Sequence, residues 1–134
     1  MNDIESEVFT TVAKAARAAF PDLFFTDEIP LNIPKKLPCA ALAETSNTAP
    51  KSMIDSSGEE KFSDVLYQVT IYTNRQANKK SDCRAILKVI DSILHGLGFR
   101  RESCTPQVPM NSNSIYWLSA RYTARVKGKT IYRL

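Results

Sequence analysis

Apolar residues recur at Ile4, Val8, Val12 and Ala16, with Ala15, Ala19 and Phe20 beside them. Four-residue spacing gathers such positions into one stripe of a helix. Asp3 stands in front as a candidate N-cap, and Glu5 and Glu7 fill the first turn, where the helix dipole favours acids. Pro21 stops the run. The pattern predicts a helix over residues 3–20. A second stripe, Cys83, Ile86, Leu87, Ile90, Leu94 and Leu97, has the same periodicity, with Arg84, Lys88, Asp91 and Ser92 on other faces. Ser81 is its candidate cap, and Gly96 or Gly98 supplies the left-handed stop. The predicted helix spans residues 81–97.

Elsewhere the period changes to two. Val65, Tyr67, Val69, Ile71 and Thr73 alternate with Leu66, Gln68, Thr70 and Tyr72, which predicts a strand rich in β-branched and aromatic residues. Tyr116, Leu118, Ala120, Tyr122, Ala124 and Val126 alternate with Trp117, Ser119, Arg121, Thr123 and Arg125, a long strand with one apolar and one mixed polar face. Shorter strands are expected at 23–26, 39–44, 99–103 and 130–133, the last folding back after a turn at Lys127 and Gly128. Pro30, Pro34 and Pro38 make residues 29–38 an extended connector. Residues 105–114, with Pro106 and Pro109, read as a loop. So do residues 45–62, which are rich in Ser, Asn, Asp, Pro and Gly.

Two helical stripes need a shared apolar surface, and an antiparallel sheet with both helices on one face supplies it. The expected class is α+β in a single domain, residues 1–134, with an antiparallel or mixed-edge sheet. Its second face carries Arg121 and Arg125 and is left to solvent, a lumen or another subunit. The long 45–62 loop is either a hairpin tip or an arm that orders on a neighbouring copy, with Met53 and Ile54 as its apolar end.

The length of 134 residues suits one domain, and 43% hydrophobic with 24% charged residues excludes a wholly disordered chain. No apolar run approaches the roughly 20 residues of a membrane span, and the acidic start, with Asp3, Glu5 and Glu7, is unlike a secretory signal. A chain made in the cytosol is expected. Charge is divided unevenly: residues 1–67 carry −5 and residues 68–134 carry +9. Three readings stand side by side. The bases form a nucleic-acid face, or opposite patches drive head-to-tail self-association, or the halves mix in space and the asymmetry cancels.

Candidate chemistry is sparse. Cys39, Cys83 and Cys104 are odd in number and include no CxxC pair, which argues against a disulfide framework or a zinc site. His95, on the last turn of the second helix, is explained by the favourable placing of a cation there. Cys83 belongs to the apolar stripe and reads as core. The glycines of His95-Gly96-Leu97-Gly98-Phe99 sit at a helix C-terminus, where phosphate is disfavoured. No catalytic residue, cofactor or metal is expected, and an enzyme is disfavoured.

Several segments in order carry a resemblance: Ala18-Ala19-Phe20-Pro21; Lys36-Leu37-Pro38-Cys39 leading into a strand that ends at Glu44; Tyr67-Gln68-Val69-Thr70-Ile71-Tyr72-Thr73-Asn74; Lys79-Lys80-Ser81-Asp82-Cys83-Arg84-Ala85-Ile86; Leu97-Gly98-Phe99; Thr105-Pro106; Ile115-Tyr116-Trp117; and Ala120-Arg121-Tyr122-Thr123-Ala124. Together, from Val8 to Tyr132, they resemble the tail terminator, tail completion or minor capsid proteins of long-tailed bacteriophages and prophages of Gram-positive bacteria. The resemblance implies an α+β fold and a ring, commonly of six copies. Such a ring caps the phage tail tube, stops its polymerisation and meets the head-completion proteins, while DNA passes through without specific binding. It implies a place in the virion, at the head-proximal end of the tail. A head-side connector ring of similar size is the alternative within the class, and a basic nucleic-acid-binding module the alternative outside it. The candidate subunit-interface residues are Met53, Ile54, Tyr72, Arg121 and Arg125.

Overall fold

The computed structural model describes residues 1–50, 62–74, 78–107 and 115–133. The elements run α1 (Glu5–Ala19), β1 (Phe24–Thr26), β2 (Cys39–Thr48), β3 (Ser63–Thr73), α2 (Lys79–Leu97), β4 (Arg100–Gln107), β5 (Tyr116–Lys127) and β6 (Thr130–Tyr132). The strands form one sheet in the order β1-β2-β3-β5-β4, with β6 pairing the end of β5 on the side that β4 takes. All pairs are antiparallel except β1 with β2. This is the expected α+β architecture, including the mixed edge.

Alternation sorts the strands into two faces. Ala40 and Leu42 of β2, Val65, Tyr67, Val69 and Ile71 of β3, and Leu118, Ala120, Tyr122, Ala124 and Val126 of β5 join one buried cluster. Val8, Val12 and Ala16 of α1 and Cys83, Ile86, Ile90 and Leu94 of α2 belong to the same cluster. Both helices therefore lie on one face of the sheet. Small Ala40 of β2 is fully buried in that cluster.

Both helix starts differ from expectation. α1 begins at Glu5, with Ile4 in the cap position and no side-chain cap. Asp3 Oδ1 instead accepts the Glu5 N–H from one place further out, at 3.3 Å. Ile4 is only 2% exposed. Burying its side chain contributes about 1.5–3 kcal/mol, more than the roughly 1 kcal/mol of a capping bond. α2 begins two residues before Ser81, with Asn78 in the cap position. The Asp82 N–H reaches the Asn78 carbonyl at 2.7 Å, and the Thr73 hydroxyl donates to the Lys79 carbonyl, tying the first turn to the end of β3.

The end of α2 follows the predicted chemistry. Gly98 sits at φ 111°. Its N–H bonds the His95 carbonyl at 3.1 Å, and the Phe99 N–H bonds Leu94 at 3.0 Å, the paired bonds of a left-handed helix stop.

Two expected loops are shorter at their start. β2 continues through Thr45 to Thr48, across a register shift between Glu44 and Ser46. That bulge lets polar residues stay paired with β3. β4 likewise runs on through Thr105 and Pro106 to Gln107. Proline is tolerated there because β4 is the edge of the sheet, where one side of the strand needs no donor. Within the 45–62 region, residues 51–61, including Met53 and Ile54, lie outside the described residues.

Candidate functional surface

The face of the sheet turned away from the helices holds the described candidates Tyr72, Arg121 and Arg125. Tyr72 lies across from Trp117 on β5 and Cys39 on β2. Its ring meets Trp117 edge-on, centroids 4.8 Å apart. It is buried within the single chain. Burial, with Cys39 beside it, pushes its phenol up to about 12. The neighbouring Trp117 Nε1 is buried with no hydrogen-bond partner.

Arg125 is half-buried, and its guanidinium grips Asp64 at the directly opposite position of β3. Its hydrogen bonds are therefore directed within the chain. Arg121, two residues along the same face, is exposed and has no acid partner among the described residues. It faces Gln68 on β3 and Ser103 on β4. With Ser103, Thr105, Gln107 and Ser119 it lines a shallow depression of about 190 Å³. A guanidinium ringed by hydroxyls and amides can receive a carboxylate or phosphate, since every neighbour there is neutral and able to hydrogen-bond.

Beside that depression runs the β4 edge. Arg100 to Pro106 are all exposed, and one side of the strand pairs only with β5. Around the edge, on the helix side, a groove of about 350 Å³ is lined by Arg84, Lys88, Asp91, Arg101 and the exposed Cys104.

Several C-terminal bases are engaged. Arg101 pairs with Asp91 at 3.0 Å, Lys129 with Glu7 at 2.7 Å, and Arg100 stands 3.8 Å from Glu102. Arg133 donates to the His95 carbonyl. Lys129 and Arg125 reach acids of the N-terminal half, so the sequence asymmetry is partly neutralised in space.

A second polar cluster, on the helix-facing side, was not singled out from the sequence. Glu44 on β2 stands opposite Tyr67 on β3. The Glu44 N–H donates to Glu5 Oε2 at 2.7 Å. Asn47, past the bulge, donates from Nδ2 to the Asn2 carbonyl at 2.8 Å. Glu44 Oε1, Asn47 Oδ1 and the Tyr67 hydroxyl are nevertheless buried without a hydrogen bond of ordinary geometry. Burial raises the Glu44 carboxyl above the usual carboxylate range. Tyr67 and Asn47 oppose that shift, while the Glu5 and Asp3 carboxylates add to it. The signal was in the alternation: Ala40, Leu42 and Glu44 share a face, so a carboxylate follows two core residues.

Among the described residues no group of three His, Cys, Asp or Glu is placed to hold a metal ion. No helix there is long and apolar enough to cross a membrane.

No family model matches the sequence. No curated protein matches it either. A solved structure without a descriptive name aligns with 90% of this chain and 96% of its own, at 14% identity and a TM-score of 0.49, too low for the likeness to carry an argument.

Proposed function

We propose that this chain is a structural virion-assembly protein of the tail-terminator kind. Copies join head to tail into a ring, commonly of six. The ring caps the tail tube, stops addition of tube protein and offers its other face to the head-completion proteins. Genomic DNA passes through it without specific binding. The ordered segments from Val8 to Tyr132 carry the assignment of role.

One structural observation supports self-assembly most: the exposed β4 edge adjoins Arg121, which has no acid partner among the described residues, on the sheet face away from the helices. An open edge is a template for pairing with another chain. A cation beside it gives such pairing a charge to orient by. A head-to-tail contact uses different patches on the two copies and closes into a ring when the rotation allows. The nucleic-acid reading is less well supported, because Arg100, Arg101, Arg125 and Lys129 face acids of the same chain. Such binding needs several cations free for phosphates.

The test is mass determination and negative-stain microscopy of the purified chain, with a tail-capping assay. Rings that stop tube growth are expected, and Arg121→Glu should weaken them. A protein that stays monomeric at every concentration and binds duplex DNA with a steep salt dependence would replace this reading with the nucleic-acid one.

A further inference from the structure

The N-terminal segment is fastened to the sheet by polar contacts of Asn2 and Glu5, the latter made with the Glu44 backbone. Asn2 spans the ends of two strands: its Nδ2 donates to Ser63 Oγ at 2.9 Å and to the Val126 carbonyl at 3.1 Å. Its Oδ1 accepts the Gly128 N–H at 2.9 Å, and its carbonyl accepts from Asn47. Three residues on, the Glu5 carboxylate accepts the Glu44 N–H. The Glu44 side chain thus stands beside both attachments, with Tyr67 opposite it.

The hydrogen-bond inventory there does not balance when Glu44 is ionised. Glu44 Oε1 and Asn47 Oδ1 are two buried acceptors, and the Tyr67 hydroxyl, which bears on the Glu44 carboxylate, can serve only one of them. Tyr67 is wholly buried, so water cannot serve its hydroxyl from outside. One proton on Glu44 corrects the inventory. The carboxyl O–H then donates to Asn47 Oδ1, and the other carboxyl oxygen accepts from the Tyr67 hydroxyl. Without that proton, a half-buried carboxylate stands beside Glu5 and Asp3, and both desolvation and like charge work against it.

We propose that Glu44 is a proton-binding latch: a proton taken from solvent onto its carboxyl closes the chain Tyr67–Glu44–Asn47 and holds the segment from Asn2 to Glu5 on the sheet, and loss of that proton loosens it. The charged groups around it are the Glu5 and Asp3 carboxylates on the helix side and, further out, Lys129. Lys129 donates to the Asp3 carbonyl and to Glu7. Tyr67 faces Glu44 from β3. Lys129 is engaged with Glu7, which leaves the acids nearest Glu44 to set its environment.

The sign follows from the raised carboxyl. A group whose folded value exceeds its open value stabilises the closed form at low pH, and that stabilisation is lost as pH rises through the folded value. Each unit of separation changes the opening equilibrium about tenfold.

Carbon-detected NMR titration of the Glu44 carboxyl in the intact protein tests this directly, together with amide exchange of the first turn of α1, corrected for intrinsic pH dependence. Glu44 is expected to titrate above the ordinary carboxylate range, with exchange in that turn accelerating as Glu44 ionises. Glu44→Gln places an amide donor and a carbonyl acceptor in the same positions. It should hold the segment closed at every pH, with protection at neutral pH above that of the wild type. Tyr67→Phe removes the donor that favours the ionised form and should raise the Glu44 titration further. A Glu44 carboxyl that titrates at or below the ordinary value overturns the latch. So does a Glu44→Gln protein less protected than wild type at neutral pH.

Discussion

Arg125 and Asp64 face each other across β5 and β3, with Nε 2.7 Å from Oδ1 and Nη2 3.0 Å from Oδ2. Two parallel charge-assisted bonds fix the plane of the guanidinium as well as its position. The pair accounts for one base that the sequence left as an interface candidate. It also links the two central strands next to the end of the sheet where Asn2 docks. Asp64→Asn should lower stability modestly while leaving any ring contact of Arg121 intact. Chemical denaturation combined with sedimentation separates the two, and a stability equal to wild type would show that the fork contributes nothing net.

Ile90 lies in the middle of α2, and no part of it is exposed. Ile90→Ala removes its methyl and methylene groups from a site with helix on one side and sheet on the other. A loss of about 2–5 kcal/mol is expected from urea denaturation. A change near zero would place this stripe outside the core.

The three thiols should differ sharply in reactivity. Burial pushes Cys39 up to about 11 and Cys83 to about 12. The Cys83 thiol also donates to the Ile71 carbonyl at 3.4 Å. Cys104 is exposed on the β4 edge. Because the thiolate is the reacting form, a thiol reagent at mildly alkaline pH should label Cys104 alone in the folded protein, and all three in denaturant. Rapid labelling of Cys83 without denaturant would contradict the packing described above.

Gly98→Ala should destabilise through two effects at once. The left-handed φ of 111° is unfavourable for any residue with a side chain, by about 1–2 kcal/mol. The added methyl would also stand 3.0 Å from Ile131 Cγ2 and 3.4 Å from its carbonyl oxygen. Gly96→Ala, where a methyl meets nothing within 4 Å, is the matched control. Its stability should hold or rise, because alanine favours a helix interior.

Glu7 should titrate opposite to Glu44. Its hydrogen bond from Lys129 holds the carboxyl below the ordinary range. That contribution is present above the unfolded value and is lost as pH falls through the lowered folded one. Lys129→Gln should raise the Glu7 titration toward the ordinary range in the same NMR experiment, with only a small effect on stability because both groups are exposed.

The sequence by itself determined the elements and their sidedness. Period-four stripes led by Val8 and Ile90, and period-two runs through Val69 and Ala120, depend on local geometry and on which residues avoid water. Those properties are legible without knowing what packs where. The α+β class followed, because two apolar stripes and an apolar sheet face had to be shared. Element boundaries were decided by tertiary contacts. Ile4 took the cap position because the core accepted its side chain. Pro106 stayed in a strand because β4 came to lie at the edge. Ser46 to Thr48 stayed paired because a bulge at Thr45 absorbed the change of register. The charged and polar sites belong to the tertiary structure even more fully. Nothing in the chain order says that Arg125 meets Asp64, 61 residues away, and that Arg121 meets no acid among the described residues. Nor does it say that Glu44 and Tyr67 meet beside Asn47 and two neighbouring acids. Hydrophobic burial is non-directional and tolerates many arrangements, so a pattern suffices to foresee it. Hydrogen bonds and ion pairs depend on distances of a few tenths of an ångström between residues far apart in sequence, and only the folded register sets those distances.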